Sequence, residues 1–205
     1  MSTQINYAAE AATQYIEVNG NNYAYRQFGK KSGIPVIGFQ HFTGTLDNWD
    51  PIILNGLAAE REVIIFDNTG VGNSSGETPN KVADMTHEAV AFIKALGINQ
   101  FDVLGFSLGG FIAQYLVQDY PDLVRKLIIV GAAPQGSKVL EEFPQLIGKA
   151  MQKTPIERFL FIFFTPSEVS RSKGMATLQR LYARTVDRDQ EANEKAIMAQ
   201  MKAIT

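Results

Sequence analysis

Cysteine is absent from the 205-residue sequence, and histidine occurs only at positions 41 and 87. The first absence excludes disulfides and thiolate metal centres. The distance between the two imidazoles leaves no metal-ligand spacing, so no metal is expected. Excess charge of one sign is lacking too: 19 Lys and Arg stand against 21 Asp and Glu. That near-balance gives no electrostatic drive toward nucleic acid or an anionic membrane. No segment approaches the ~18 uncharged apolar residues of a membrane span. "MSTQINYAAEAATQYIEV" lacks a basic region followed by an apolar one, as a secretory leader would have. A cytoplasmic protein is expected, with no nucleic-acid partner and no membrane. What is present is an ordinary globular balance, 45% hydrophobic and 20% charged, in a chain long enough for one sizeable core.

"QYIEVNGNNYAYRQFG" alternates apolar and polar residues around Asn19-Gly20, which predicts a hairpin with strands near 14–18 and 23–28. "IPVIGFQ" (34–40), "EVIIFD" (62–67), "FDVLGF" (101–106) and "RKLIIVG" (125–131) are short β-branched runs of the kind buried on both faces. Helical patterns fall between them at roughly 48–60, 81–97 and 107–119. Strand and helix in alternation imply an α/β fold with a mostly parallel sheet and helices on both faces. After Pro134 only helical patterns remain, broken at Pro144, Pro155, Pro166 and Gly174. The expected division is a core over 1–135 and a helical cap over 136–205.

"Gly105-Phe106-Ser107-Leu108-Gly109-Gly110" joins a buried strand to an amphipathic helix. A sharp strand-to-helix turn there forces the serine into a strained conformation, and glycines two residues before and after relieve the crowding. Ser107 becomes the candidate nucleophile, with the Leu108 N–H at the helix start as one oxyanion donor. A second donor is expected from "HFTG", Phe42 or Thr43, with Thr43 favoured. His41 is read as a brace for that loop. "FDNTGVGNSSG" (66–76) follows a strand ending in an acid, but its glycines do not run into a helix as a dinucleotide site requires, and no Gly-Lys-Ser/Thr cradle occurs. No cofactor is expected, and Asp67 is read as holding backbone amides.

With these segments in order, the chain resembles the α/β-hydrolase fold superfamily, and looks closest to its small esterases and cofactor-free perhydrolase-like members. Phe42 stands where those relatives usually have glycine, and Asn68-Thr69 replace a segment that usually contains arginine. The resemblance implies a serine hydrolase acting on a small ester or similar acyl substrate, with Phe159, Phe161, Phe163 and Phe164 as candidates to line an acyl pocket. It also implies a catalytic acid and histidine on later strands. The 98 residues after Ser107 hold no histidine, and the amphipathic helix "MTHEAVAFIKALG" accounts for His87. Expected, then, is weak or no activity from this chain alone. A non-catalytic ligand-binding or interaction protein on the same scaffold, or a fragment of a longer hydrolase, stands as the alternative. The strand "KLIIV" is expected at an open sheet edge, where it invites self-association.

Overall fold

The structure is a computed structural model that describes residues 6–31, 33–134 and 136–205. After a one-turn helix, Tyr7–Glu10 (α1), capped by Asn6, the chain forms the antiparallel strands Gln14–Val18 (β1) and Asn21–Gly29 (β2). Asn19 and Gly20 both take positive φ, 53° and 81°, and so make the whole turn between them. That is why β2 begins two residues earlier than the alternation predicts. Val36–Phe39 (β3), Glu62–Phe66 (β4), Phe101–Phe106 (β5) and Val124–Val130 (β6) complete a sheet of order β1-β2-β4-β3-β5-β6. β2 joins β4 antiparallel, whereas the pairs β3/β4, β3/β5 and β5/β6 are parallel.

Successive strand side chains point to opposite faces, and here both faces are covered. Ile37, Phe39, Ile64, Phe66 and Val103 face Val82–Ala95 (α3) and Leu108–Asp119 (α4), burying Phe92, Ile93, Ile112 and Leu116. Val36, Val63, Ile65 and Leu104 face Trp49 and the helix Pro51–Ala58 (α2). This explains the continuous apolar runs of β3 to β5. The last strand, β6, is as apolar but open, with Leu127, Ile128, Ile129 and Val130 between 38% and 48% exposed.

Beyond β6 the regular elements among the described residues are all helical: a short 3-10 helix, Lys138–Glu142, then Phe143–Met151 (α5), Pro155–Phe163 (α6), Glu168–Leu181 (α7) and Glu194–Ile204 (α8). Pro144 and Pro155 sit in first turns, where the missing N–H costs nothing. Thr154, Ser167 and Asn193 cap α6, α7 and α8. Gly174, expected to break a helix, lies inside α7. A Cβ there would collide with Leu160 and Phe164, so the glycine lets α6 and α7 approach. α8 returns to the body of the molecule, and its Ile204 joins the core with Phe111 and Ile112. Gln135, the last residue of the expected core segment, lies outside the described residues. Among the described residues no helix is long and apolar enough to cross a membrane.

Candidate active site

Ser107 occupies the break between β5 and α4 with φ 53° and ψ −113°, a conformation that L-residues seldom adopt. Three hydrogen bonds hold it. The Ser107 N–H donates to the Val130 carbonyl at 2.8 Å, the Gly109 N–H to the Gln40 carbonyl at 2.9 Å, and the Gly110 N–H to the Ser107 carbonyl at 2.8 Å. The elbow is thus tied to the ends of both strands flanking β5. A Cβ at Gly105 would lie 2.5 Å from the Gly109 carbonyl oxygen, and one at Gly109 would overlap the Phe39 carbonyl. Only glycine fits either place. Leu108 is the first residue of α4, so its N–H has no intrahelical acceptor.

The loop after β3 lies beside the serine. His41 N–H donates to Gln40 Oε1 at 2.8 Å, Gly44 N–H to the His41 carbonyl at 2.9 Å, and Thr43 N–H to Oε1 of Gln200 on α8 at 2.7 Å. The Thr43 amide, favoured by the sequence as an oxyanion donor, is therefore engaged by α8. Phe42 carries the one N–H between 41 and 44 without an acceptor among the described residues. His41 Nδ1 lies 2.7 Å from the Phe42 carbonyl and so carries the proton of that bond. The ring packs edge-on to Phe106, and burial pushes its pKa below the ordinary imidazole value. His87 packs against Tyr120. No hydrogen bond joins either imidazole to the Ser107 hydroxyl among the described residues.

Asp67 is fully buried and accepts from the Leu46 and Asn73 N–H groups at 2.9 and 3.1 Å. The Leu46 N–H is shared with Asp189 Oδ2 at 3.2 Å. Burial, then the neighbouring Asp189 carboxylate, raise Asp67 well above the usual carboxylate range. Asp189 belongs to a strap between α7 and α8 whose own N–H donates to Asp47 Oδ2 at 2.8 Å. Asp47 is also paired with the buried Arg26 at 2.7 Å. Neither Gln200 nor Asp189 stood out in the sequence. A polar residue in an amphipathic helix or a charged loop reads as solvated surface, and partners more than a hundred positions away leave no local pattern.

Beside Ser107 the helices after β6 border a cavity of about 360 Å³, open to solvent and lined by His41, Phe42, Thr43 and Ser107 on one side and by Phe159 and Phe163 on the other. Two of the four expected aromatic residues therefore reach it. Phe161 lies outside the lining with Lys153 Nζ over its ring at 4.9 Å, and Phe164 packs against Phe159 with the rings tilted by 43°. Phe143, Ile147 and Tyr182 supply further apolar wall, and Arg158, Arg188 and Asp189 the polar rim.

A family model described as the alpha/beta hydrolase fold matches residues 35–186. An alpha/beta hydrolase fold protein of Chitinophaga pinensis superposes with a TM-score of 0.96 at 67% identity, over 97% of this chain and 72% of that one. RutD of Serratia proteamaculans, named as a carbamate hydrolase, is 33% identical over 88 residues, 42% of this chain and 33% of its own length. A non-heme chloroperoxidase of Streptomyces lividans is 30% identical over 57% of this chain and 43% of its own. The chain thus aligns with less than half the length of these two relatives.

Proposed function

The chain belongs to the α/β-hydrolase fold family, and from that premise we propose that it is a serine hydrolase of small esters or similar acyl compounds, acting through an acyl-enzyme on Ser107. The observation that carries this is the positive φ of Ser107 at the floor of the cavity. Strain of that kind, held by Gly105, Gly109 and bonds to two neighbouring strands, lifts Oγ toward a ligand and leaves the α4 N-terminus beneath it. Oγ attacks the acyl carbon and the alcohol leaves with a proton. Water then attacks the acyl-enzyme and releases the acid. The Leu108 and Phe42 amides are assigned to the developing oxyanion, with Thr43 anchoring the loop. His41 braces it, Asp67 holds the adjoining turn, and Phe159 and Phe163 pack on the acyl group. No cofactor takes part.

With neither imidazole bonded to Ser107, its hydroxyl stays neutral at pH 7 and a poor nucleophile. The chain alone is expected to hydrolyse p-nitrophenyl acetate no more than ~10⁴-fold faster than water, the rate that oxyanion stabilisation and binding leave when a triad is incomplete. Since that residual rate does not come from the nucleophile, Ser107→Ala should lower it less than ~10-fold. A rate typical of an esterase, abolished by Ser107→Ala, would break this expectation, and an esterase-like rate that survives Ser107→Ala would move the chemistry to another residue. The same missing contact favours a second function, ligand binding without chemistry. In that case a fluorophosphonate would fail to label Ser107 while apolar acyl compounds still bound in the cavity.

A further inference from the structure

One peptide unit in the loop beside Ser107 is pinned at both ends. The carbonyl of Phe42 accepts from His41 Nδ1 at 2.7 Å, and the N–H of the same unit, that of Thr43, donates to Gln200 Oε1 at 2.7 Å. A trans peptide is planar with its oxygen and hydrogen on opposite sides, so the two bonds together fix its rotation. Thr43 is held with φ 62°, a region a β-branched residue avoids unless its surroundings impose it. The Gln200 bond is one such constraint, and it comes from a helix 157 positions away in sequence.

Gln200 is fully buried, and its Nε2 has no hydrogen-bond partner among the described residues. A buried NH₂ left unbonded is costly, so what this side chain contributes is its oxygen. Of the two ends of a side-chain amide only the oxygen accepts from an N–H, which settles the orientation of Gln200. Gln200 does not line the cavity, although Phe42, Thr43 and Ser107 do.

We infer that Gln200 is a positioning residue for the oxyanion site: with His41 it clamps the 42–43 peptide, so that the unengaged Phe42 N–H is the loop amide held ready beside Ser107. Seating of α8 on the body and the geometry of the oxyanion loop thereby become one event, because withdrawal of α8 frees the Thr43 amide and lets the peptide rotate. This rests on the assignment of Ser107 as nucleophile.

The test compares the full chain with Gln200→Leu and Gln200→Glu, reading Thr43 amide hydrogen exchange, the kcat and KM of p-nitrophenyl acetate hydrolysis and the site of fluorophosphonate labelling. Gln200→Leu should speed Thr43 exchange by ~10-fold or more as its bond is lost. It should also lower kcat by ~10- to 100-fold, within the range for losing one oxyanion donor, with KM unchanged because Gln200 does not line the cavity. Gln200→Glu keeps an oxygen acceptor in either protonation state and should restore both readouts. If Gln200→Leu does not fold, Gln200→Met, of similar length and without an oxygen, carries the same expectation. A folded acceptor-less variant with unchanged exchange or unchanged kcat overturns the clamp. So does a Gln200→Glu chain that protects Thr43 but stays slow. Fluorophosphonate labelling of a residue other than Ser107 would instead overturn the serine assignment, while Thr43 exchange would still report whether the clamp exists.

Discussion

β5 and β6 run side by side, parallel and paired from Phe101–Val124 to Phe106–Val130, and both are written in the same apolar alphabet. Yet Val103 is fully buried, whereas Ile128, one register step from it, is 48% exposed. The difference lies in the neighbours. β5 has a strand on each side and helices on both faces, whereas β6 has β5 alone among the described strands. Composition therefore announces a strand, but burial belongs to the place the strand takes in the sheet. The elbow draws on both environments, since Ser107 leaves buried β5 and donates its N–H to Val130 at the end of open β6.

The sharpest way to break this contrast is to put a charge on each strand. Val103→Asp strands a carboxylate in the core and should cost on the order of 4 kcal/mol or more, enough to unfold a domain of ordinary stability. Urea unfolding measures it, and a tolerated Val103→Asp would mean that β5 is not the centre of the core.

A smaller effect comes from what joins the two strands besides their ladder. Asp102 at the start of β5 receives Arg125 of β6 at 2.6 Å and Arg61 at 2.8 Å, and Arg125 first, then Arg61, hold its pKa below the usual carboxylate value. A depressed folded pKa contributes stability above the unfolded value, near ~4, and loses it as pH falls through the folded one. Acid unfolding should therefore steepen below about pH 4, and Asp102→Asn should flatten that limb. An identical acid limb in the variant would show that the pair does not secure β6. Asp67 titrates with the opposite sign: its raised pKa contributes stability below ~4 that is lost as pH rises through the folded value.

The smallest change in stability is expected for Ile128→Lys, within ~0.5 kcal/mol because the side chain is already half in water. Its effect should appear instead in association. Light scattering of the parent chain across a concentration series should rise where that of Ile128→Lys does not, since the charge blunts an apolar edge. A parent chain that stays monomeric at every concentration would show that the open strand is not adhesive.

Most of the scaffold was legible in the sequence because its signals are local. A two-residue Asn-Gly turn, β-branched runs between helical periods and glycines at fixed distance from a serine each express one short-range steric rule, and the strands fall within two residues of the expected bounds. The contacts that complete the site obey no such rule. Gln200 looks like any polar residue of an amphipathic helix until Thr43 is seen to donate to it. Asp189 looks like loop charge until it is found beside Asp67. Gly174 reads as a helix breaker because the side chains of α6 that need its missing Cβ lie elsewhere in sequence. The aromatic residues of the α6 region divide into those that line the cavity and those that do not only once the direction of α6 is known.

The strap that carries Asp189 also reaches the beginning of the chain, where Asp187 accepts from the Thr13 N–H and its carbonyl from Arg26 Nη2. This bears on the order in which the molecule is made. At a synthesis rate of ~5–20 residues per second, Arg26 precedes Asp187 by roughly 10–30 s. During that interval one arm of its guanidinium can meet Asp47, only 21 positions on, while the other has no native partner yet synthesised. The first hairpin is therefore born early and fastened late, and the 187–189 strap is the clasp that lets the nascent chain close over its own beginning.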